Sequence, residues 1–150
     1  MKYHKSSITH DPEQSQWGDC FRTCLACLLD YPNPLNVPHF FDFKDRGFSE
    51  QEANNSFDRA SEWLLMNHRM HHVIIPWTFE NLTQLLEHTN NAFPNVTFML
   101  VGQSKISNHV VICKNGKIIH DPSNSAESPY LFGPCDDGFW RTEFLVVDIK

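Results

Sequence analysis

The sequence has no long apolar run, and this limits how the protein can relate to a membrane. No stretch approaches the roughly 18 apolar residues that a membrane-spanning helix needs. The polar residues 1–10 lack the apolar segment of a signal peptide. Clusters of lysine and arginine are also missing, and the formal net charge is −6. Neither nucleic acid nor a membrane is therefore an expected partner.

A disulfide framework is excluded as well. The sequence has five cysteines, an odd number, and three of them lie in one short apolar segment. This usage is typical of a reducing compartment, so we expect a cytoplasmic protein. Internal repeats and low-complexity segments are missing too. A length of 150 residues with 41% apolar residues predicts a single packed domain over residues 1–150.

The first half of the chain carries helical patterns. Apolar residues recur at spacings of three and four from Cys20 to Leu29, which predicts a buried central helix with Asp19 at its N-cap position. Pro32 and Pro34 end this helix because proline cannot continue it. The other expected elements are an edge strand near residues 2–5, a helix over 49–68 that starts with a capping box, a strand over 71–76 stopped by Pro76, and a helix over 78–88.

The second half carries strand patterns instead. Asn115-Gly116 separates two apolar runs and is the strongest hairpin signal in the chain. Helices followed by a mainly antiparallel sheet give an α+β fold, in which the helix that begins at Cys20 packs on the sheet. We expect strands over residues 96–102, 110–114, 117–120 and 139–149, and a long loop over 123–138.

Cys20 is the candidate nucleophile. It follows a polar loop that ends in Gly18-Asp19, and it lies in the first turn of the predicted helix. Backbone N–H groups at a helix N-terminus carry partial positive charge, which stabilises the thiolate form of a cysteine. Cys24 and Cys27 are interpreted instead as structural cysteines, buried along the helix.

His109 and Asp121 are the candidate base and the candidate group that orients it. They stand at the outer ends of the two strands that Asn115-Gly116 connects, so pairing of these strands brings them together at one rim of the sheet. If the sheet packs on the first helix, Cys20 faces His109 across a cleft. His120 remains an alternative base because it is the neighbour of Asp121. Its side chain points to the face of the sheet opposite to that of Asp121, so His120 would be the base if that face lined the cleft.

Gln14 is the candidate side-chain donor of an oxyanion hole. It lies six residues before Cys20, and its amide would act together with the backbone N–H of Cys20. Gln16 competes for this role, and only the spacing favours Gln14.

The cysteine spacing also matches metal-binding patterns. Cys20-x3-Cys24-x2-Cys27 is the spacing of the radical SAM iron–sulfur motif, but cluster ligands need a loop, and these residues follow a helical pattern. Helical spacings of four and three do not form the knuckle of a structural zinc site either. We expect no cofactor and no metal ion. The histidines that a zinc site would recruit are His39, His71 and His72.

The order of these residues resembles the papain-like cysteine peptidase superfamily. Gln14 and Asp19-Cys20 at a helix start, then His109 on a strand and Asp121 after the next strand, are similar to small bacterial and phage branches such as the C39-like peptidases. One departure is Phe21, which follows the cysteine where tryptophan or glycine is commoner. Further similar segments are Cys27-Leu28-Leu29, Val37-Pro38-His39-Phe40, His109-Val110-Val111 and His120-Asp121-Pro122.

The resemblance implies a papain-like fold and a Cys20–His109–Asp121 triad, with Gln14 at the oxyanion hole. The implied activity is hydrolysis of a peptide or small amide substrate through an acyl-enzyme, with a host or phage protein as a possible further partner. Two other functions stay open. One is an acyltransferase of the same fold, in which an amine or thiol replaces water, and the other is an inactive papain-like binding protein.

Overall fold

The computed structural model describes residues 1–45, 47–105, 107–123 and 131–149, which form a mixed α+β fold. None of the helices in these ranges combines the length and apolar character of a membrane span. The helices are α1 (Cys20–Leu28), α2 (Glu50–His68) and α3 (Leu82–Ala92), and the strands are β1 (Met70–Trp77), β2 (Phe98–Gln103), β3 (Asn108–Lys114), β4 (Lys117–His120) and β5 (Trp140–Val147). Two 3₁₀ turns, Pro12–Gln14 and Pro34–Asn36, flank α1.

The five strands form one sheet in the order β1-β5-β2-β3-β4, and every pair of neighbours is antiparallel. The α+β class and the antiparallel sheet expected from the sequence are therefore confirmed. The hairpin signal is confirmed as well. Asn115 and Gly116 both have positive φ, 52° and 77°, which is the conformation of a two-residue turn that matches the twist of paired strands.

Helices cover both faces of the sheet. The buried residues of α1, including Cys24 and Leu25, pack with Met99 and Ile112 in a core that α2 completes. On the opposite face, α3 packs through Leu85 in a second core around Trp140. Because α1 lies against β3, the start of the helix comes close to the rim of the sheet at which β3 begins.

Several element boundaries differ from the sequence expectation. The cap of α2 is confirmed, since the Ser49 hydroxyl accepts the N–H of Glu52 at 3.0 Å. The third helix begins later than residue 78, because Asn81 caps it and fixes its start at Leu82. Pro76 does not stop β1, which continues to Trp77, and an edge strand tolerates proline because its free side needs no donor.

Two other expectations concern segments outside the regular elements. Residues 2–5 do not form the expected edge strand. Their hydrogen bonds go to a thiol, a side chain and loop carbonyls rather than to a β-ladder. Of the expected loop over residues 123–138, the part from 124 to 130 lies outside the described residues. Within the described part, Gly133 forms an isolated bridge with Gln103 at the end of β2.

Candidate active site

Cys20 is the first residue of α1 and differs from the other cysteines in exposure. It is half-buried, whereas Cys24, Cys27, Cys113 and Cys135 are buried, and all five lie in the described ranges as free thiols. Burial raises the pKa of each of the four buried thiols above its ordinary value. Those four stay protonated at neutral pH, so Cys20 is the cysteine placed to react.

Asp19 occupies the N-cap position as expected, but its side chain does not cap the helix. The buried carboxylate instead accepts the Nε–H of Arg22 and the backbone N–H of Ile8, both at 3.0 Å. The first helical bond runs from the N–H of Thr23 to the carbonyl of Asp19. The first-turn N–H groups, including that of Cys20, are therefore left available to a ligand. The contact between Asp19 and Arg22 had a sequence signal, because an acidic and a basic residue three positions apart are neighbours on a helix.

His109 lies at the start of β3 and contacts both other members of the predicted triad. Its Nε2 is 2.7 Å from Oδ1 of Asp121, and its imidazole lies close enough to the side chain of Cys20 for the sulfur to raise the pKa of His109. Since Nε2 faces the carboxylate, Nδ1 is the ring nitrogen left for the sulfur. The structure thus brings Cys20, His109 and Asp121 together, with the imidazole between the sulfur and the carboxylate.

An irregularity in the hairpin sets the position of Asp121. The pairing of β3 with β4 shifts by one residue between Cys113 and Ile112. Uninterrupted pairing from the turn would place Asp121 opposite Val110. Extended one residue past His120, the shifted register puts Asp121 level with Val111 instead, on the same face of the sheet as His109, because side chains alternate between faces along a strand. A bulge is therefore what lets the carboxylate reach the imidazole.

Hydrogen bonds and neighbouring charges together outweigh the effect of burial on the pKa values of His109 and Asp121. Burial by itself lowers the pKa of His109, but the hydrogen bonds with Asp121 and Cys20 and the charges of both outweigh it and raise the pKa to about 9. Burial acts to raise the pKa of Asp121, yet the hydrogen bonds from His109 and from the N–H of Ser123 hold it below its ordinary value. At neutral pH the cluster therefore contains an imidazolium between a carboxylate and the Cys20 sulfur. An adjacent cation of this kind stabilises a thiolate.

His120, the alternative base, has a different set of contacts. Its Nε2 donates to the carbonyl of His4 at 2.6 Å, and its ring packs against Tyr3. Burial lowers its pKa. The geometry therefore favours His109 over His120 as the imidazole beside Cys20.

Gln14 lies in a loop that precedes Cys20. It lies at the exposed end of the first 3₁₀ turn, within a tight loop closed by two backbone hydrogen bonds between Asp11 and Gln16. Within the described residues, its side chain makes no hydrogen bond to the three triad members. Gln16, its competitor, donates from its amide to the carbonyl of Thr9. The oxyanion role of Gln14 stays a prediction.

The cysteines and histidines weighed as metal ligands lie apart. Cys24 donates its thiol proton to the carbonyl of Val110, and Cys27 accepts the N–H of His4. His39 is hydrogen-bonded to the carbonyl of Trp17 at 2.9 Å. In the described part of the chain, no group of three or more His, Cys, Asp or Glu side chains is arranged to hold a metal ion.

A second histidine–carboxylate pair lies inside the fold. His72 Nε2 is 2.5 Å from Oε1 of Glu143, and Ser61 Oγ is 3.0 Å from His72 Nδ1. The side chains of His72 and Glu143 are 0% and 1% exposed. Ser61 lies in the middle of α2, where backbone N–H groups are bonded within the helix, so no oxyanion donors stand beside it. We interpret this network as structural.

No protein-family model, curated protein or solved structure matches the chain. The candidate site therefore rests on the geometry of the chain's own residues.

Proposed function

We propose that the protein is a cysteine-dependent hydrolase that cleaves a peptide or other amide bond. The observation that carries this proposal is the double contact of His109, with Asp121 at 2.7 Å on one side and with Cys20 on the other. A nucleophile, a base and an orienting acid in this sequence of contacts are the minimum that covalent acyl transfer needs. The unused N–H groups at the start of α1 add an oxyanion site.

The reaction follows from the charges of the cluster. The Cys20 thiolate attacks the carbonyl carbon, a C–S bond forms, and the oxygen becomes an anion that the first-turn N–H groups of α1 stabilise. His109 then gives its proton to the leaving nitrogen as the C–N bond breaks, which leaves a thioester. Water attacks the thioester and gives a proton to neutral His109, and Cys20 departs as a thiolate. Asp121 stays ionised and holds the ring in place.

The fold and the compartment support the same proposal. In a papain-like domain, the cysteine lies at the N-terminus of a helix. This helix packs on an antiparallel sheet that carries the histidine and the acid. We therefore propose a papain-like fold for this chain. Five free thiols favour a reducing compartment, which supports a cytoplasmic location.

Alkylation with iodoacetamide tests the proposal without a known substrate. In mildly acidic buffer we expect Cys20 to be labelled at least about tenfold faster than Cys113 or Cys135, because those two thiols are buried and Cys20 is accessible beside the His109 imidazolium. Peptide mapping by mass spectrometry measures the rate at each site. His109→Gln is the matched control, and it should lower the rate at Cys20 alone. Equal labelling of all three cysteines would contradict the proposal and favour an inactive binding protein.

An acyl-enzyme distinguishes a hydrolase from an acyltransferase. The activated ester p-nitrophenyl acetate should acetylate Cys20, which intact-mass spectrometry detects as one added acetyl group. Clearance of the acetyl group in buffer alone supports hydrolysis. Clearance only after addition of an amine or a thiol supports the acyltransferase instead.

The raised pKa of His109 predicts how activity depends on pH. Imidazolium is needed to protonate the leaving amine, so amide hydrolysis should fall as the pH rises through about 9. Alkylation of Cys20 should not fall there, because a thiolate needs no acid to attack iodoacetamide. Parallel pH profiles of hydrolysis and alkylation measure this difference. A hydrolysis rate that keeps rising above that pH would exclude His109 as the acid.

Stability should change over the same range. The folded pKa of about 9 lies above the ordinary value of 6.5, so protonated His109 stabilises the fold. That contribution to stability is about 3 kcal/mol. It is complete at pH values below the ordinary pKa of 6.5 and is lost as the pH rises through the folded-state pKa of about 9. Urea unfolding of the unaltered protein and of the His109→Gln variant at several pH values isolates this contribution. The difference in free energy of unfolding between the two proteins should shrink as the pH rises.

A further inference from the structure

A segment without regular secondary structure near the start of the chain is hydrogen-bonded to both sides of the candidate active site. We call residues 3–10 the N-terminal strap. They form neither helix nor strand, and their polar groups bond to loops on either side of the cluster. One side is the loop that delivers Cys20 to α1, and the other is the end of β4, where Asp121 lies.

On the acid side, the strap holds the backbone around Asp121. The Lys5 ammonium donates to the carbonyl oxygens of Asp121 at 2.9 Å and Ser123 at 3.3 Å, and the N–H of Ser6 donates to the carbonyl of Pro122 at 2.7 Å. The register of β4 determines the face of the sheet on which Asp121 lies, but Asp121 follows the last residue of β4, so its own backbone is not paired in the ladder. Three consecutive carbonyl groups are held by the strap instead.

On the nucleophile side, the strap holds the two residues before Cys20. The N–H of Ile8 donates to the Asp19 carboxylate at 3.0 Å, and the N–H of Gly18 donates to Nδ1 of His10 at 3.2 Å. A Cβ at residue 18 would lie only 3.0 Å from the Cβ of His10, so glycine is what permits this close approach. The Asp19 carboxylate also binds Arg22, which couples the strap to the first turn of α1.

We propose that the N-terminal strap sets the distance between Cys20 and Asp121, with Lys5 and Asp19 as positioning residues. The inference rests on the proposed function of Cys20. His109 can bond both partners only if the start of α1 and the end of β4 stay a fixed distance apart, and the strap is bonded to both. Loosening either end moves one partner away from the imidazole and weakens the thiolate–imidazolium pair.

Lys5→Met tests the acid side, with Lys2→Met as a control for the lost charge in the same exposed segment. The readout is the ratio of the alkylation rate of Cys20 at neutral pH to that at high pH, where any accessible thiol is ionised. We expect Lys5→Met to lower this ratio about tenfold, through the neutral-pH rate alone. Lys2→Met should leave the ratio unchanged, and Lys5→Arg should restore most of it because it keeps the donors. A purely structural role would not move the ratio.

Ile8→Pro tests the nucleophile side, because proline removes the N–H that Asp19 accepts. Ile8→Ala is its control and keeps that donor. We expect the ratio of the alkylation rate of Cys20 at neutral pH to that at high pH to fall in Ile8→Pro and to stay unchanged in Ile8→Ala. If Lys5→Met and Ile8→Pro both match the unaltered protein, the strap inference is overturned while the proposed function stands. If the unaltered protein alkylates no faster than glutathione at neutral pH, both are overturned.

Discussion

Replacing Cys20 by alanine is expected to abolish hydrolysis, with a loss on the order of 10⁴-fold or more, while the protein stays folded. In the proposed mechanism the sulfur forms the covalent bond to the acyl group, and neither His109 nor Asp121 can replace it. Cys20 is only half-buried at the start of α1. The free energy of unfolding should therefore change by no more than about 1 kcal/mol. Release of p-nitrophenol and urea unfolding measure the two effects.

Cys113→Ala is the matched control for this prediction. Cys113 is fully buried in the core that α3 covers, among Phe98, Leu100 and Val111. Its removal leaves a cavity, so we expect roughly 1 kcal/mol or more of lost stability with the rate unchanged. The two variants should thus show opposite patterns. Retention of the rate in Cys20→Ala would show that another group is the nucleophile.

Replacing His72 by alanine is expected to cost about 3–5 kcal/mol of folding free energy. The change leaves the Glu143 carboxylate buried without its partner on β1, and its other oxygen, Oε2, already lacks a hydrogen-bond partner among the described residues. A charge stranded in the interior is far more costly than a missing contact on the surface. Urea unfolding at neutral pH measures the loss.

The double variant His72→Phe, Glu143→Leu separates the charge from the packing. Because an apolar pair of similar volume avoids the buried charge, the double variant should regain most of the stability that His72→Ala loses. Ser61→Ala should cost only about 1 kcal/mol, as it removes one hydrogen bond at the edge of the network. Loss of Cys20 reactivity in folded Ser61→Ala protein would contradict our structural interpretation of this network.

Local signals identified most of the candidate site. The dipeptide Asn115-Gly116 fixes a two-residue turn, and a turn fixes which strand ends meet, so the location of His109 and Asp121 at the same rim of the sheet could be predicted. The polar loop before Cys20 placed this residue at a helix start for a similar reason. Both features depend on residues that are close in sequence. The backbone conformation alone determines how such residues are arranged.

Contacts between distant residues could not be predicted in this way. The polar residues of the strap carry no periodicity, so they gave no sign that Lys5 reaches Asp121 or that Ile8 reaches Asp19. The pair of His72 and Glu143 joins β1 to β5 across 71 positions of the sequence. The late start of α3 depended on the side chain of Asn81, where the apolar spacing alone favoured an earlier start.

The sequence by itself determined the α+β class, the hairpin and the position of Cys20 at a helix start, because each follows from local backbone preferences. Only the tertiary structure decided that the Cys20 side chain meets His109, that a one-residue shift turns Asp121 toward the imidazole, and that the strap joins the two sides. These features depend on how α1 packs on β3 and on where the strap runs. Packing depends on shape and burial summed over the whole chain, which no short pattern of residues encodes.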